Sequence, residues 1–191
     1  MKNCCLVVIF FMLSGCTAAE MAKYQPQWQK DWIAKTAPKP PPPQVIVKTD
    51  QFSKEIEFIG PSASVDLNDT YGGWCRWSIR SWMDKTTHRV ENQLYTEFFY
   101  HGEWKTFWAA ADDHADDLPV TKIDSSVGDC DRFGCSLSEI IGVELNNKIY
   151  QERLQHGYPI KLSARDGESL VITINPEQIK LQAEALAKQY K

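Results

Sequence analysis

The sequence predicts an α+β fold: one curved antiparallel sheet of meander and hairpins, with a short helix and a C-terminal helix packed on it. Three observations carry this. From Gly73 to Met83 the side chains alternate as on a strand, Cys75, Trp77, Ile79, Ser81 and Met83 on one face and Trp74, Arg76, Ser78, Arg80 and Trp82 on the other. Tyr158, Ile160 and Leu162 alternate in the same way, Asp166-Gly167 marks a type I′ hairpin, and Leu170, Ile172 and Ile174 form the return strand. Asn175-Pro176 then supplies an N-cap and a proline at the first helical position, ahead of Ile179, Ala183, Leu186 and Tyr190 at helical spacing. That last helix is expected to run to about Gln189.

The chain begins differently. Lys2 is a positive start, Cys4 to Leu13 is an unbroken apolar run, and small residues Ser14 and Gly15 follow, the layout of a secretory signal peptide. A membrane-spanning helix needs about 20 apolar residues, and this run is half that. Residues 17–36 are polar with scattered Tyr24, Trp28 and Trp32, and Pro26 limits any helix to Gln27–Lys35. Such a helix would lie on a bilayer surface or pack on the domain; a loosely ordered tether is the plainer reading. Pro38-Lys39-Pro40-Pro41-Pro42-Pro43 is a semi-rigid polyproline spacer of roughly 3 Å per residue. The expected organisation is therefore a leader over 1–15, a tether over 16–44 and a single sheet-rich domain over 45–191.

From Val45 the pattern becomes that of strands. Val45-Ile46-Val47 is a β-branched run, and Ile56 and Phe58 alternate with Glu55 and Glu57 up to Gly60-Pro61. After the strand to Met83, residues 84–88 form a turn. Val90 to Tyr100 is a second strand, and His101-Gly102-Glu103 turns into a third, Trp104 to Ala111. Three consecutive strands with short links make an antiparallel meander. Ala111 to Asp117 is an acidic loop, Val120 to Ile123 a short strand, and Leu137 to Leu145 another. Asn147 to His156 is a short helix closed by Gly157.

Composition excludes some classes. Loss of Lys2 with the leader takes the formal charge from −4 to −5, and no basic tract occurs, so nucleic acid is a poor partner. Asn68-Asp69-Thr70 matches a glycosylation acceptor but is uninformative if the chain is bacterial. No Gly-x-Ser-x-Gly, His-Glu-x-x-His, phosphate loop or dinucleotide fingerprint is present, and His88, His101, His114 and His156 are scattered at turns. No catalytic residue, cofactor or metal site is assigned. Asp112, Asp113, His114, Asp116 and Asp117 could supply oxygen ligands, but the run lacks the glycine and spacing of a calcium loop and reads as a solvated connection.

Cys130 and Cys135 are spaced for a disulfide across a small loop, worth about 2 kcal/mol in loop-closure terms. Cys75 is then left as a buried, inert thiol. The candidate binding surface is Trp74, Arg76, Arg80 and Trp82, since indoles and guanidiniums stack on sugars and clamp carboxylates, both of which peptidoglycan offers. Against this stands a covered face, with helix or tether over it and arginine stems stacked between the indoles. Trp82 is expected to be covered.

Leu13-Ser14-Gly15-Cys16 resembles the lipobox of bacterial lipoproteins at every position. The resemblance implies a diacylglycerol thioether on Cys16, cleavage just before it and acylation of the new amino terminus. Three acyl chains hold a protein on a membrane where one, at ~0.8 kcal/mol per CH₂, does so marginally. Thr17, in place of the aspartate usual in lipoproteins kept at the inner membrane, implies the outer membrane, with the chain in the periplasm. The segment from Asp129 to Pro176, with Gly134-Cys135-Ser136, Glu139, the Asp-Gly hairpin and Asn175-Pro176, also resembles uncharacterised lipoproteins of Gram-negative bacteria. The expected role is a non-enzymatic binding or structural component of the cell envelope, attached through lipid on Cys16 and contacting peptidoglycan or another envelope protein. An envelope-modifying hydrolase or transferase is the alternative.

The anchor is checked by feeding cells a labelled fatty-acid analogue. Label is expected in the wild-type chain and absent from Cys16→Ser; equal labelling of the two removes the assignment.

Overall fold

The computed structural model describes residues 41–67, 72–132 and 134–190. The leader, Cys16, the helix at Gln27–Lys35, most of the proline run and Asn68-Asp69-Thr70 lie outside them. The chain divides into two units between Pro42 and Pro43, and the architecture below is that of the second.

Antiparallel strands dominate. The strands are β1 (Ile46–Thr49), β2 (Glu55–Ile59), β3 (Ala63–Asp66), β4 (Trp74–Asp84), β5 (Val90–His101), β6 (Phe107–Asp112), β7 (Asp117–Leu118), β8 (Val120–Asp131), β9 (Gly134–Leu145), β10 (Tyr158–Ala164) and β11 (Ser169–Ile174). Two helices, α1 (Ile149–Glu152) and α2 (Pro176–Ala187), and a terminal 3-10 turn over Lys188–Tyr190 complete the unit. No helix among the described residues is long and apolar enough to cross a membrane.

The single expected sheet is in fact two. Seven strands form one sheet, in the order β1-β2-β4-β5-β9-β8 with β3 beside β4; four form the other, in the order β11-β10-β6-β7. The meander therefore stops after two strands: β4 and β5 pair in register from Trp74↔Phe99 to Met83↔Val90, but β6 leaves to pair with β10. Alternation shows that a segment is a strand without naming its neighbour, so the sequence did not reveal the crossing. What makes the crossing is local. Glu139, on β9, is buried at 5 % exposure and receives the Tyr100 hydroxyl, the Thr106 amide at 2.8 Å and the Phe107 amide at 3.1 Å. Thr106 adopts φ +54, a left-handed turn that costs a threonine energy and points β6 away from β5. Burial and the Glu139 hydrogen bond push the Tyr100 phenol above its ordinary pKa, keeping it a donor.

The core lies between the sheets. Cys75, Ile79, Leu94, Phe98, Ile141 and Val143 of the large sheet face Phe107, Ala110, Ile160, Leu162, Ile172 and Ile174 of the small one. Phe98 and Phe107 stack with centroids 3.9 Å apart. Helix α2 lies on the same face of the large sheet, where Ile179 joins the main core and Leu186 a smaller cluster with Phe58 and Met83. Its start is capped as the sequence indicates: Asn175 accepts the Gln178 amide at 2.8 Å, and the Gln178 side chain answers the Asn175 amide. Gln182 donates to Ser81 Oγ at 2.8 Å and to the Phe58 carbonyl at 3.3 Å, which fixes the helix on the sheet. Ser81 and the Tyr150 hydroxyl both donate to Asn92 Oδ1 at 2.6 Å, and burial holds the Tyr150 phenol above its ordinary pKa.

Other differences have physical causes. β8 runs twelve residues, not four, because pairing with β9 imposes strand geometry on a polar, exposed edge sequence that does not alternate. The expected helix from Asn147 shrinks to one turn. The Asn147 side chain is spent on Asn92 and on the Val90 carbonyl at 3.0 Å, so no side chain caps α1. At Asp166-Gly167 the turn is not type I′: only Gly167, at φ +91, is left-handed, Gly167 donates to the Ala164 carbonyl, and Ala164 donates to that of Glu168. That is a type I turn with a glycine bulge. β3 and β7 are too short to announce themselves in sequence.

Cys130 and Cys135 face each other across the β8–β9 turn with sulfurs 2.07 Å apart, and Cys75 is a buried free thiol. Desolvation pushes its pKa well above the ordinary thiol value, so it is a poor nucleophile. A non-reduced digest should yield one peptide pair joined through Cys130 and Cys135, with Cys75 alkylated only after denaturation; a linkage to Cys75 would overturn the pairing. Glu139→Ala leaves three donors, two of them on buried residues, without their acceptor and should lower stability in urea by about 3 kcal/mol. Glu139→Gln, which keeps the shape, should cost less. A loss below about 1 kcal/mol for the alanine variant would show that Glu139 does not hold the crossing.

Candidate functional site: the outer face of the large sheet

The small sheet and α2 both pack on the inner face of the large sheet. Among the described residues no element lies over the other face, where Trp74, Arg76, Ser78, Arg80 and Trp82 of β4 stand beside Phe99, Glu97, Tyr95, Gln93 and Glu91 of β5, in that pairing order. The expected cover by a helix is thus incorrect for α2, whose Gln182 reaches Ser81 on the inner side. Trp82 is half-buried by its neighbours, not enclosed.

The arginine arrangement also differs from that expected. Neither guanidinium is sandwiched between indoles. Arg76 lies 5.3 Å from the Trp74 ring and donates to Glu97 at 2.5 Å, with about half its side chain exposed. Arg80 lies over Tyr95, its Cζ 3.5 Å from the ring centroid. Ser78, between the two arginines along β4 and directly across from Tyr95, is buried beneath them. At one end Trp74 and Phe99 stack at 5.7 Å with planes 13° apart, and His101 meets Phe99 edge-on at 5.9 Å.

All four residues singled out from sequence therefore share this face. Their partners Tyr95, Glu97 and Phe99 were missed, although they alternate in β5 and the turn at 85–88 sets the register. Hydrogen bonds from both the Thr87 amide and hydroxyl, with the Thr86 amide, hold the Asp84 carboxyl below its ordinary pKa and close that turn. Two open depressions flank the stripe. One, of about 500 Å³, is lined by Ser64, Gly73, Trp74, Arg76 and Phe99; the other, of about 510 Å³, by Trp82, Glu91, Gln93, Glu144 and Asn146.

The acidic run does structural work instead. Asp112 accepts the His114 and Asp116 amides at 2.9 and 3.0 Å and the Tyr158 hydroxyl at 3.1 Å. Burial raises its pKa, but these bonds outweigh burial and leave it below the ordinary carboxylate value. Both Asp113 oxygens are taken by Arg153, at 2.6 and 2.8 Å, which holds that carboxyl low as well. Among the described residues no group of three or more His, Cys, Asp or Glu is placed to hold a metal. Cofactor-binding residues are likewise not assigned.

No family model matches this chain, and comparison with curated proteins and with solved structures gives no match, so its reading rests on its own residues.

Proposed function

We propose that this chain is a lipid-anchored component of the bacterial cell envelope that acts by binding, through the outer face of its seven-stranded sheet. The observation that supports the reading is the open stripe running from Trp74 to Trp82. It carries four aromatic rings and two guanidiniums on a face that no described element covers. Trp74, Trp82, Tyr95 and Phe99 are each half-buried, and the ring surface they leave in water costs free energy that a ligand or partner recovers on contact. The lipobox at Cys16 and the proline spacer after it give such a face a place to work: held at a membrane, facing the periplasm.

Photo-crosslinking in intact cells tests the face. A benzophenone amino acid at Trp74 or Tyr95 should give adducts with envelope material. The same group at Val171, on the small sheet and 61 % exposed, should give none. Adducts from Val171 alone, or equally from all three positions, would place the interaction elsewhere.

A further inference from the structure

The outer face carries several acids and cations, and most neutralise one another. Glu97 pairs with Arg76 at 2.5 Å, Glu57 with Lys48 at 3.4 Å, and Glu91 with Arg89 at 3.0 Å. Arg80 is different. Its direct neighbours across the strands are Ile59 on one side and Gln93 on the other, neither of them an acid. Gln93 leans toward β9, where a Cβ on Gly142 would lie 2.2 Å from its Cδ, and so away from Arg80. Among the described residues no hydrogen bond or ion pair reaches the Arg80 guanidinium, and its buried Nε has no acceptor. The Tyr95 ring nevertheless supports the group from one side, 3.5 Å from its Cζ.

A guanidinium supported on a ring, with terminal nitrogens that lack an acceptor, is a preorganised carboxylate hook, because its two Nη N–H groups match the two carboxylate oxygens. From Trp74 to Trp82 the stripe spans roughly 26 Å at about 3.3 Å per residue, with Arg80 near one end. Its rings offer flat faces for the C–H surfaces of sugars. From these features, and resting on the binding role proposed above, we infer that Arg80 anchors a carboxylate of an extended, carboxylate-bearing glycan, of which murein is the periplasmic example.

Co-sedimentation of the full-length, detergent-solubilised protein with purified murein sacculi tests this. Wild type should sediment with them. Arg80→Gln and Arg80→Ala should bind at least tenfold more weakly while melting like wild type. Arg80→Lys, which keeps the charge but loses the stacked fork, should fall in between. Lys161→Gln, removing an exposed cation from the small sheet, should change binding less than threefold. Sacculi whose carboxylates have been amidated should bind wild type about as weakly as native sacculi bind Arg80→Gln. Wild-type binding by Arg80→Gln, or undiminished binding to amidated sacculi, overturns the Arg80 assignment while leaving the face as a binding surface. If wild type does not sediment with native sacculi, the glycan is wrong, and crosslinks from Trp74 or Tyr95 to a protein would then show that the face serves a protein partner.

Discussion

The Glu139 carboxylate sits where the chain passes from one sheet to the other, and the architecture depends on what it accepts. A buried carboxylate is tolerable only when its oxygens are occupied. Here the Tyr100 hydroxyl comes from the end of β5, and the Thr106 and Phe107 amides come from the residue before β6 and from its first residue. One group on a third strand thus grips both sides of the crossing. The strain at Thr106 is held by those bonds and by the Phe98–Phe107 stack just beyond. The Lys105 amide donates to the Tyr100 oxygen at 3.0 Å, and the Lys105 ammonium reaches Asp166 and Glu168 in the β10–β11 turn, both at 2.9 Å. The junction is therefore tied into the small sheet as well.

That crossing decides which face remains open. Because β6 swings to the inner side, β10 and β11 follow it there, and α2, reached from the end of β11, has only the rest of the same face to cover. The polar network of Ser81, Asn92, Tyr150 and Gln182 reinforces the choice. The Ser81 and Tyr150 hydroxyls, Asn92 Oδ1 and the Gln182 amide nitrogen find these partners only when α1 and α2 sit where they do. Had β6 continued the meander, these strands and helices would have been free to pack on either side. Among the described residues the aromatic stripe is open because the junction sends the small sheet and α2 to the opposite face.

Much of this was legible in the sequence, and the parts that were not share a cause. Residues 73–83 and 90–100 declared themselves as strands, and the buried face of β4 was legible because Cys75, Trp77, Ile79 and Met83 make it the more apolar of the two. The Asn175 cap and the hairpin before it were equally plain, since a cap and a turn are written in two or three adjacent residues. Sheet membership was not, because Tyr100, Thr106 and Glu139 are far apart in sequence and nothing local says that they meet. The face Trp74, Arg76, Arg80 and Trp82 could be named, but not the state of each arginine. Whether a guanidinium is paired depends on the neighbouring strand, where Arg76 finds Glu97 and Arg80 finds Gln93.

The edges of the large sheet bear on how such a protein meets a partner. β8 is a long outer strand, and a row of unpaired backbone groups of that length invites another strand to add. It is blunted instead. Register shifts fall between Lys122 and Asp124 and between Val127 and Cys130, and the disulfide pins its far end to β9. Lys122 stands across from buried Ile141, where an incoming strand would have to keep a charge on the core side. The opposite edge, β1, is four exposed residues that include Lys48. An edge built to refuse strands, beside a face of half-buried aromatic rings and a guanidinium with no ion pair among the described residues, separates two surfaces that proteins often combine. Contact is discouraged where backbone would supply it without selectivity, and left available where side chains can choose.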